Sequence, residues 1–157
     1  MKNYIKVLII LFMLGAISCC KDENGKPDPT PGWKRVNSPN GYKSLSDVEF
    51  LNNDFGVICG SDGTVLKTEN GGLEWQAVNF GTVYGYRKVF ILNEKEFFIS
   101  NSGLYSTKNG GLSYTEIGNL SSWESGIFCI HFFDSNNGLI YQSGRVSRTN
   151  DGGQTWE

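Results

Sequence analysis

Asn70, Asn109 and Asp151 are three residues able to bind a cation or close a turn, and they recur in one setting. Each follows a threonine by two positions and precedes a Gly-Gly pair: Thr68-Glu69-Asn70-Gly71-Gly72, Thr107-Lys108-Asn109-Gly110-Gly111 and Thr149-Asn150-Asp151-Gly152-Gly153. An aromatic follows three residues later, at Trp75, Tyr114 and Trp156. Two chemistries fit. Asn150-Asp151-Gly152 has the superficial form of a calcium loop, but calcium needs about six to eight oxygen ligands, including a distal bidentate carboxylate. The first two copies have no acid in this segment except Glu69 and Glu74. The other chemistry is hydrogen bonding. An Asn or Asp side chain can close onto turn N–H groups, and Gly-Gly takes φ > 0 without a Cβ clash. The ligand count favours a structural turn without a metal.

Other reactive groups are sparse. The single histidine, His131, lies between Ile130 and Phe132 and reads as a strand residue rather than a base. No metal-ligand cluster is visible. A glycosidase needs two carboxylates at a fixed separation, yet most acids fall in turn-like stretches such as Asn93-Glu94-Lys95-Glu96. Cys59 and Cys129 lie a full repeat apart, too far for a disulfide, and are expected as buried free thiols. The net charge of −2 and the lack of a basic patch argue against nucleic acid. No cofactor is implied.

The elements that position these groups also repeat. Val48-Glu49-Phe50-Leu51-Asn52 aligns with Val89-Phe90-Ile91-Leu92-Asn93 and with Ile130-His131-Phe132-Phe133-Asp134, at 41-residue steps. A second apolar run, a small-residue turn and a third run lead to each threonine. After the aromatic come Gln76-Ala77-Val78 and Thr115-Glu116-Ile117. Runs of four to six Val, Ile, Phe and Tyr residues between Gly, Asn, Asp and Ser clusters read as strands. Nothing after residue 25 has the length and period of a helix. Four strands per unit of about 40 residues make a propeller blade. The fold class is therefore all-β: a partial β-propeller of three four-stranded blades, about 33–79, 80–118 and 119–157. Gly32-Trp33-Lys34-Arg35-Val36 would be a leading strand, and the whole could be a piece of a larger propeller.

Thr149-Asn150-Asp151-Gly152-Gly153-Gln154-Thr155-Trp156 resembles the Asp box, Ser/Thr-x-Asp-x-Gly-x-Thr-Trp, of the bacterial neuraminidase repeat. The first two copies depart from it. Asn70 and Asn109 replace the Asp, Glu74 and Ser113 replace the Thr, and Tyr114 replaces one Trp. The longer pattern over residues 33–157 is most similar to the photosystem II assembly-factor-like branch of these propellers. The resemblance implies that the box is a structural turn away from any active site. A sialidase would also need an arginine cluster, a Tyr/Glu nucleophile pair and an acid. The arginines are only Arg35, Arg87, Arg145 and Arg148, and none sits in the sialidase arginine motif.

The N-terminus reads as an address. Lys2 and Lys6 precede an uncharged apolar run, Val7 to Ile17, closed by Ser18 and Cys19. The run is too short to span a membrane and marks residues 1–18 as a signal peptide. Ala16-Ile17-Ser18-Cys19 resembles a bacterial lipobox, which implies lipidation at Cys19. Lys21-Asp22-Glu23 resembles the export signal of Bacteroidota-type surface lipoproteins. With Pro27, Pro29 and Pro31, residues 19–32 read as a flexible tether. The expected location is the bacterial outer membrane, lipid-anchored and displayed at the cell surface.

In a propeller the loops leading into each first strand share one end with the loops between strands two and three, and the box turns lie at the other. The lead-in loops carry Tyr42, Tyr84, Tyr86 and Trp123, beside Arg87 and Glu124. Exposed aromatics there would suit a protein or glycan partner, against the alternative that the rings wedge between blades. The reading is a surface-anchored lipoprotein bearing a non-catalytic binding or assembly scaffold. The alternative is a truncated carbohydrate-active, sialidase- or glycosidase-like enzyme. Three blades fall short of the usual four to eight, so exposed blade faces are expected to drive self-association.

Overall fold

Apolar runs cut short by glycine, asparagine and serine cannot continue as helices, and they pair as strands. A computed structural model describes residues 43–157 except 82–83, 119 and 121–125. All of these belong to one unit, Val36–Glu157. The signal peptide, Cys19, the tether and the leading strand lie outside the described residues, as do Tyr42, Trp123 and Glu124.

The first sheet runs in the order β1 (Leu45–Phe50), β2 (Gly56–Gly60), β3 (Val65–Thr68), β4 (Gln76–Ala77). The second repeats it with β5 (Lys88–Ile91), β6 (Phe97–Ser100), β7 (Leu104–Thr107) and β8 (Thr115–Ile117). The third holds β9 (Ile127–Phe132), β10 (Gly138–Gln142) and β11 (Arg145–Thr149). Every pairing is antiparallel. Beside β11, Glu157 exchanges two backbone hydrogen bonds with Arg148, at 2.8 and 3.0 Å. That is the place β4 and β8 occupy beside β3 and β7.

Each turn has its own chemistry. Between β10 and β11, Ser143 and Gly144 both take positive φ, 50° and 81°, as a two-residue hairpin that follows the strand twist requires. Asp62 and Gly63 do the same between β2 and β3, at 53° and 68°. After each first strand, an Asn or Asp side chain receives two backbone N–H groups. Asn52 Oδ1 accepts from Asp54 and Phe55, Asn93 Oδ1 from Lys95 and Glu96, and Asp134 Oδ1 from Asn136 and Asn137, all at 2.8–3.0 Å. The sequence aligns these three residues but does not reveal that role.

The core lies between blades. Strand period places alternate side chains on opposite faces, and β6, Phe97-Phe98-Ile99-Ser100, is buried on both. Phe97 and Ile99 join Val57, Cys59 and Val65 of the first blade, with Phe80, Tyr86 and Val89. Phe98 joins Leu104, Ile127, Ile130, Phe132 and Ile140 on the third-blade side. The outer blades are less buried on their far faces. Val48 and Phe50 of β1, and Tyr141 and Val146 near the far end, are all exposed. Cys59 is buried as expected, and burial above all pushes its thiol up to about 12. Cys129 corrects the expectation of a second buried thiol: it is free and exposed. Its neighbour Ile130 points into the core, so period two turns Cys129 outward.

Candidate functional site

The three box turns are built alike. Gly72 N–H donates to Thr68 Oγ1 at 2.9 Å, and that hydroxyl donates to Asn70 Oδ1 at 3.0 Å. Asn70 Oδ1 also accepts from Glu74 N–H at 2.9 Å. Gly111, Thr107, Asn109 and Ser113 repeat the set at 2.9, 3.0 and 2.9 Å. Gly153, Thr149, Asp151 and Thr155 repeat it at 2.8, 2.8 and 2.9 Å. All six box glycines, Gly71, Gly72, Gly110, Gly111, Gly152 and Gly153, have φ between 70° and 90°, a conformation that strongly favours a residue without Cβ. The third copy gains the Thr155 hydroxyl, which donates to Asp151 Oδ2 at 2.6 Å. That bond, with the Thr155 N–H, holds the Asp151 carboxyl down to about 2. Both Asp151 oxygens thus serve the turn itself.

Each box is clipped to the turn after the first strand of its own blade. Gly71, Gly110 and Gly152 N–H donate to the carbonyls of Asp54, Lys95 and Asn136, at 2.8–2.9 Å. The closing aromatics then meet other rings, exposed in the first blade and buried in the next two. Trp75 lies edge-on to Phe50, Tyr114 stacks on Phe80 at 5.2 Å, and Trp156 lies edge-on to Phe132. The Trp156 indole also donates to Gly153 O at 3.0 Å.

The opposite end of the blades carries the lead-in loops. Gly63 N–H donates to Tyr84 O at 3.1 Å, and Tyr86 N–H to Gly60 O at 2.8 Å. This ties the loop before β5 to the β2–β3 turn of the first blade. Arg87 N–H donates to Ser100 O at 2.7 Å. Tyr84 is 74% exposed and Arg87 is exposed. Tyr86 corrects the binding-face expectation. It is 1% exposed, edge-on to Phe80 and Tyr105, and its hydroxyl donates to Phe80 O at 3.3 Å. Its ring wedges between blades, and its phenol finds the partner that burial demands. His131 is exposed on β9, edge-on to Phe90 and Phe133.

Two acids that the sequence reading passed over lie inside β1. Asp47 Oδ2 accepts from Val89 N–H at 3.2 Å, and Glu49 Oε2 from Ile91 N–H at 3.1 Å. β5 is the inner edge of its sheet, so these carboxylates cover N–H groups that no strand pairs. Lys88 stands 3.4 Å from Asp47. The signal was the spacing: residues two apart in a strand share a face. Burial first, with the Asp47 charge, pushes Glu49 up to about 7 against the opposing pull of the Ile91 N–H. Between the ordinary glutamate value and about 7, the folded chain then holds a proton that the unfolded chain has lost. Stability falls as pH rises through that window. Thermal melts across it should show Glu49→Gln losing this slope; an unchanged slope would contradict the assignment.

The whole box-and-blade pattern matches one family model. Residues 28–157 match that of the Photosynthesis system II assembly factor YCF48. The chain belongs to this family. No protein of curated function matches it. Among solved structures, the YCF48 fold recurs in YCF48 bound to D1 peptide, with TM-score 0.72 and 20% identity over 83% of this chain. YCF48 from Cyanidioschyzon merolae gives TM-score 0.69 and 23% identity over 80%. The chain spans 43% and 42% of those two structures, less than half of each. An ancestral GH74 enzyme is similar at TM-score 0.59 and 20% identity, over 73% of this chain and 18% of its own. At such identities the likeness is one of fold.

Proposed function

We propose that this YCF48-family chain is a non-catalytic propeller scaffold that binds an extended polypeptide at its lead-in loops. The observation that supports it is the exposed pair Tyr84 and Arg87 on a loop held by three backbone hydrogen bonds and the buried Tyr86 ring. An aromatic and a guanidinium on a pre-ordered platform lose little entropy on binding, and both types are enriched where binding energy concentrates. The peptide held by one YCF48 relative favours a polypeptide over a glycan. Lipidation at Cys19 would carry the scaffold to the outer face of the outer membrane. The exposed faces of the first and third blades would meet further blades or further copies.

A photo-crosslinking amino acid placed at Tyr84 in the intact chain tests the binding face in cells. Protease-sensitive adducts should form from Tyr84 and be absent from the same probe at Leu73, which is exposed in the first box turn. Identical adducts from both positions, or none from Tyr84, would contradict the proposal. The anchor is tested separately: Cys19→Ser should abolish fatty-acid labelling and membrane sedimentation, and a variant that still labels would refute lipidation.

A further inference from the structure

A groove of about 970 Å³ lies between the second blade and the box turn of the third. Its second-blade wall includes Glu96, Lys108 and strand β8 with Glu116, and its far wall includes Ser135, Asp151 and Gln154. Three acids therefore face one lysine. Asp151 is already satisfied within its turn, but Glu96 is not. It is 8% exposed, and only one of its oxygens has a hydrogen bond, from the Ser135 hydroxyl at 2.7 Å. Oε1 is buried and accepts none. Lys108 Nζ stands 4.0 Å from it, beyond hydrogen-bond reach, on a side chain that is 75% exposed.

A buried carboxylate oxygen without a donor is costly, and a cation that reaches it recovers that cost. The Lys108 ammonium, on a flexible and well-hydrated stem, shows which chemistry the position draws without completing the bond. The groove also runs beside β8, the outer edge of the second sheet. An edge strand presents unpaired backbone groups to an incoming chain. We propose that this groove binds a lysine or arginine side chain of an extended polypeptide that lies along β8, with the cation on Glu96 Oε1 in place of Lys108. The site is at the box end of the blades and does not rest on the Tyr84 loop.

The test uses the full chain and the peptide acetyl-Thr-Val-Lys-Val-Thr-amide, its arginine analogue, and a norleucine analogue of equal length without charge. Binding is followed by fluorescence anisotropy at low salt. The lysine and arginine peptides should bind about tenfold tighter than the norleucine peptide, with the difference shrinking as salt rises. Glu96→Gln should remove most of that tenfold preference. Lys108→Ala, at an exposed position, should tighten binding several-fold by removing the competing cation. Leu73→Ala, at an exposed position outside both the groove and the lead-in loops, should leave the affinity unchanged. Equal affinity for the charged and norleucine peptides, or no binding of the lysine peptide at millimolar concentration, would overturn the proposal. A loss on Tyr84→Ala would place the peptide on the lead-in loops instead and overturn it equally. Should Glu96→Gln fail to fold, an unimproved affinity in Lys108→Ala would be decisive against it.

Discussion

Gly152→Val is expected to destabilise the fold by about 3 kcal/mol. The glycine sits at φ 74°, and a Cβ there would lie 2.9 Å from the backbone carbonyl of Ser135. A β-branched residue at positive φ is a strained outlier even with free space around it. Here the neighbour is main chain and cannot rotate away. The Gly152 N–H also clips the box to Asn136 O, so a displaced turn would release the loop after β9. Glu157→Ala makes the control. Its side chain is exposed, and its backbone bonds to Arg148 survive the change. Melts of the two variants should differ by about 10–20 °C, and equal midpoints would contradict the turn assignment.

Phe98→Ala should cost about 3–5 kcal/mol, the range for removing a buried ring. Phe98 is 1% exposed and stacks on Phe132 at 3.9 Å and 5°. It is the central contact between the second and third blades, with Phe90 beside both rings. Removing Phe132 as well should cost less than the two single losses together, by about 1 kcal/mol, because the rings are coupled. Denaturant titrations of the two single variants and the double variant give that coupling directly. Additive losses would mean that the blades are held by area alone.

The box turns were legible because their chemistry is local. Gly-Gly can occupy φ > 0, and Thr and Asn or Asp reach the turn within five residues, so Thr68 to Gly72 carries the whole instruction. The blades followed from strand-length apolar runs at a fixed step. What was hidden depends on neighbours distant in sequence. Tyr86 reads as a loop aromatic, yet Gly60 O and Phe80 O draw it inward. Asp47 and Glu49 read as ordinary polar positions. Their role exists only because β5, about 40 residues later, presents unpaired N–H groups. Cys129 reads as a strand thiol, and its exposure depends on which face of β9 the next blade would cover. Glu96 reads as part of an acidic turn, and only the fold buries it between Ser135 and Lys108.

The same distinction applies to function. The repeat identifies the scaffold, and similar folds occur in YCF48 structures and in an ancestral GH74 enzyme, so the fold by itself assigns no function. The residues proposed to bind a partner are ones that break the repeat: Tyr84 and Arg87 at one end, and Glu96 with Lys108 at the other. The outer blade faces break it in another sense. Val48 and Phe50 stand where Val89 and Ile91 meet the preceding blade, and Tyr141, next to the inward Ile140, lies with Val146 on the third-blade face turned away from the second blade.

Among the described residues, the outer faces of the first and third blades present exposed Val48, Phe50, Tyr141 and Val146, and the central claim is that these faces seek a partner. Light scattering coupled to gel filtration, on a soluble chain beginning at Asp28, tests it most directly. Uncovered apolar faces and strand edges promote association, so the account predicts oligomers or dye-binding aggregates whose mass rises with concentration. A compact monomer at every concentration, with a cooperative melt and no binding of a hydrophobic dye, would contradict it.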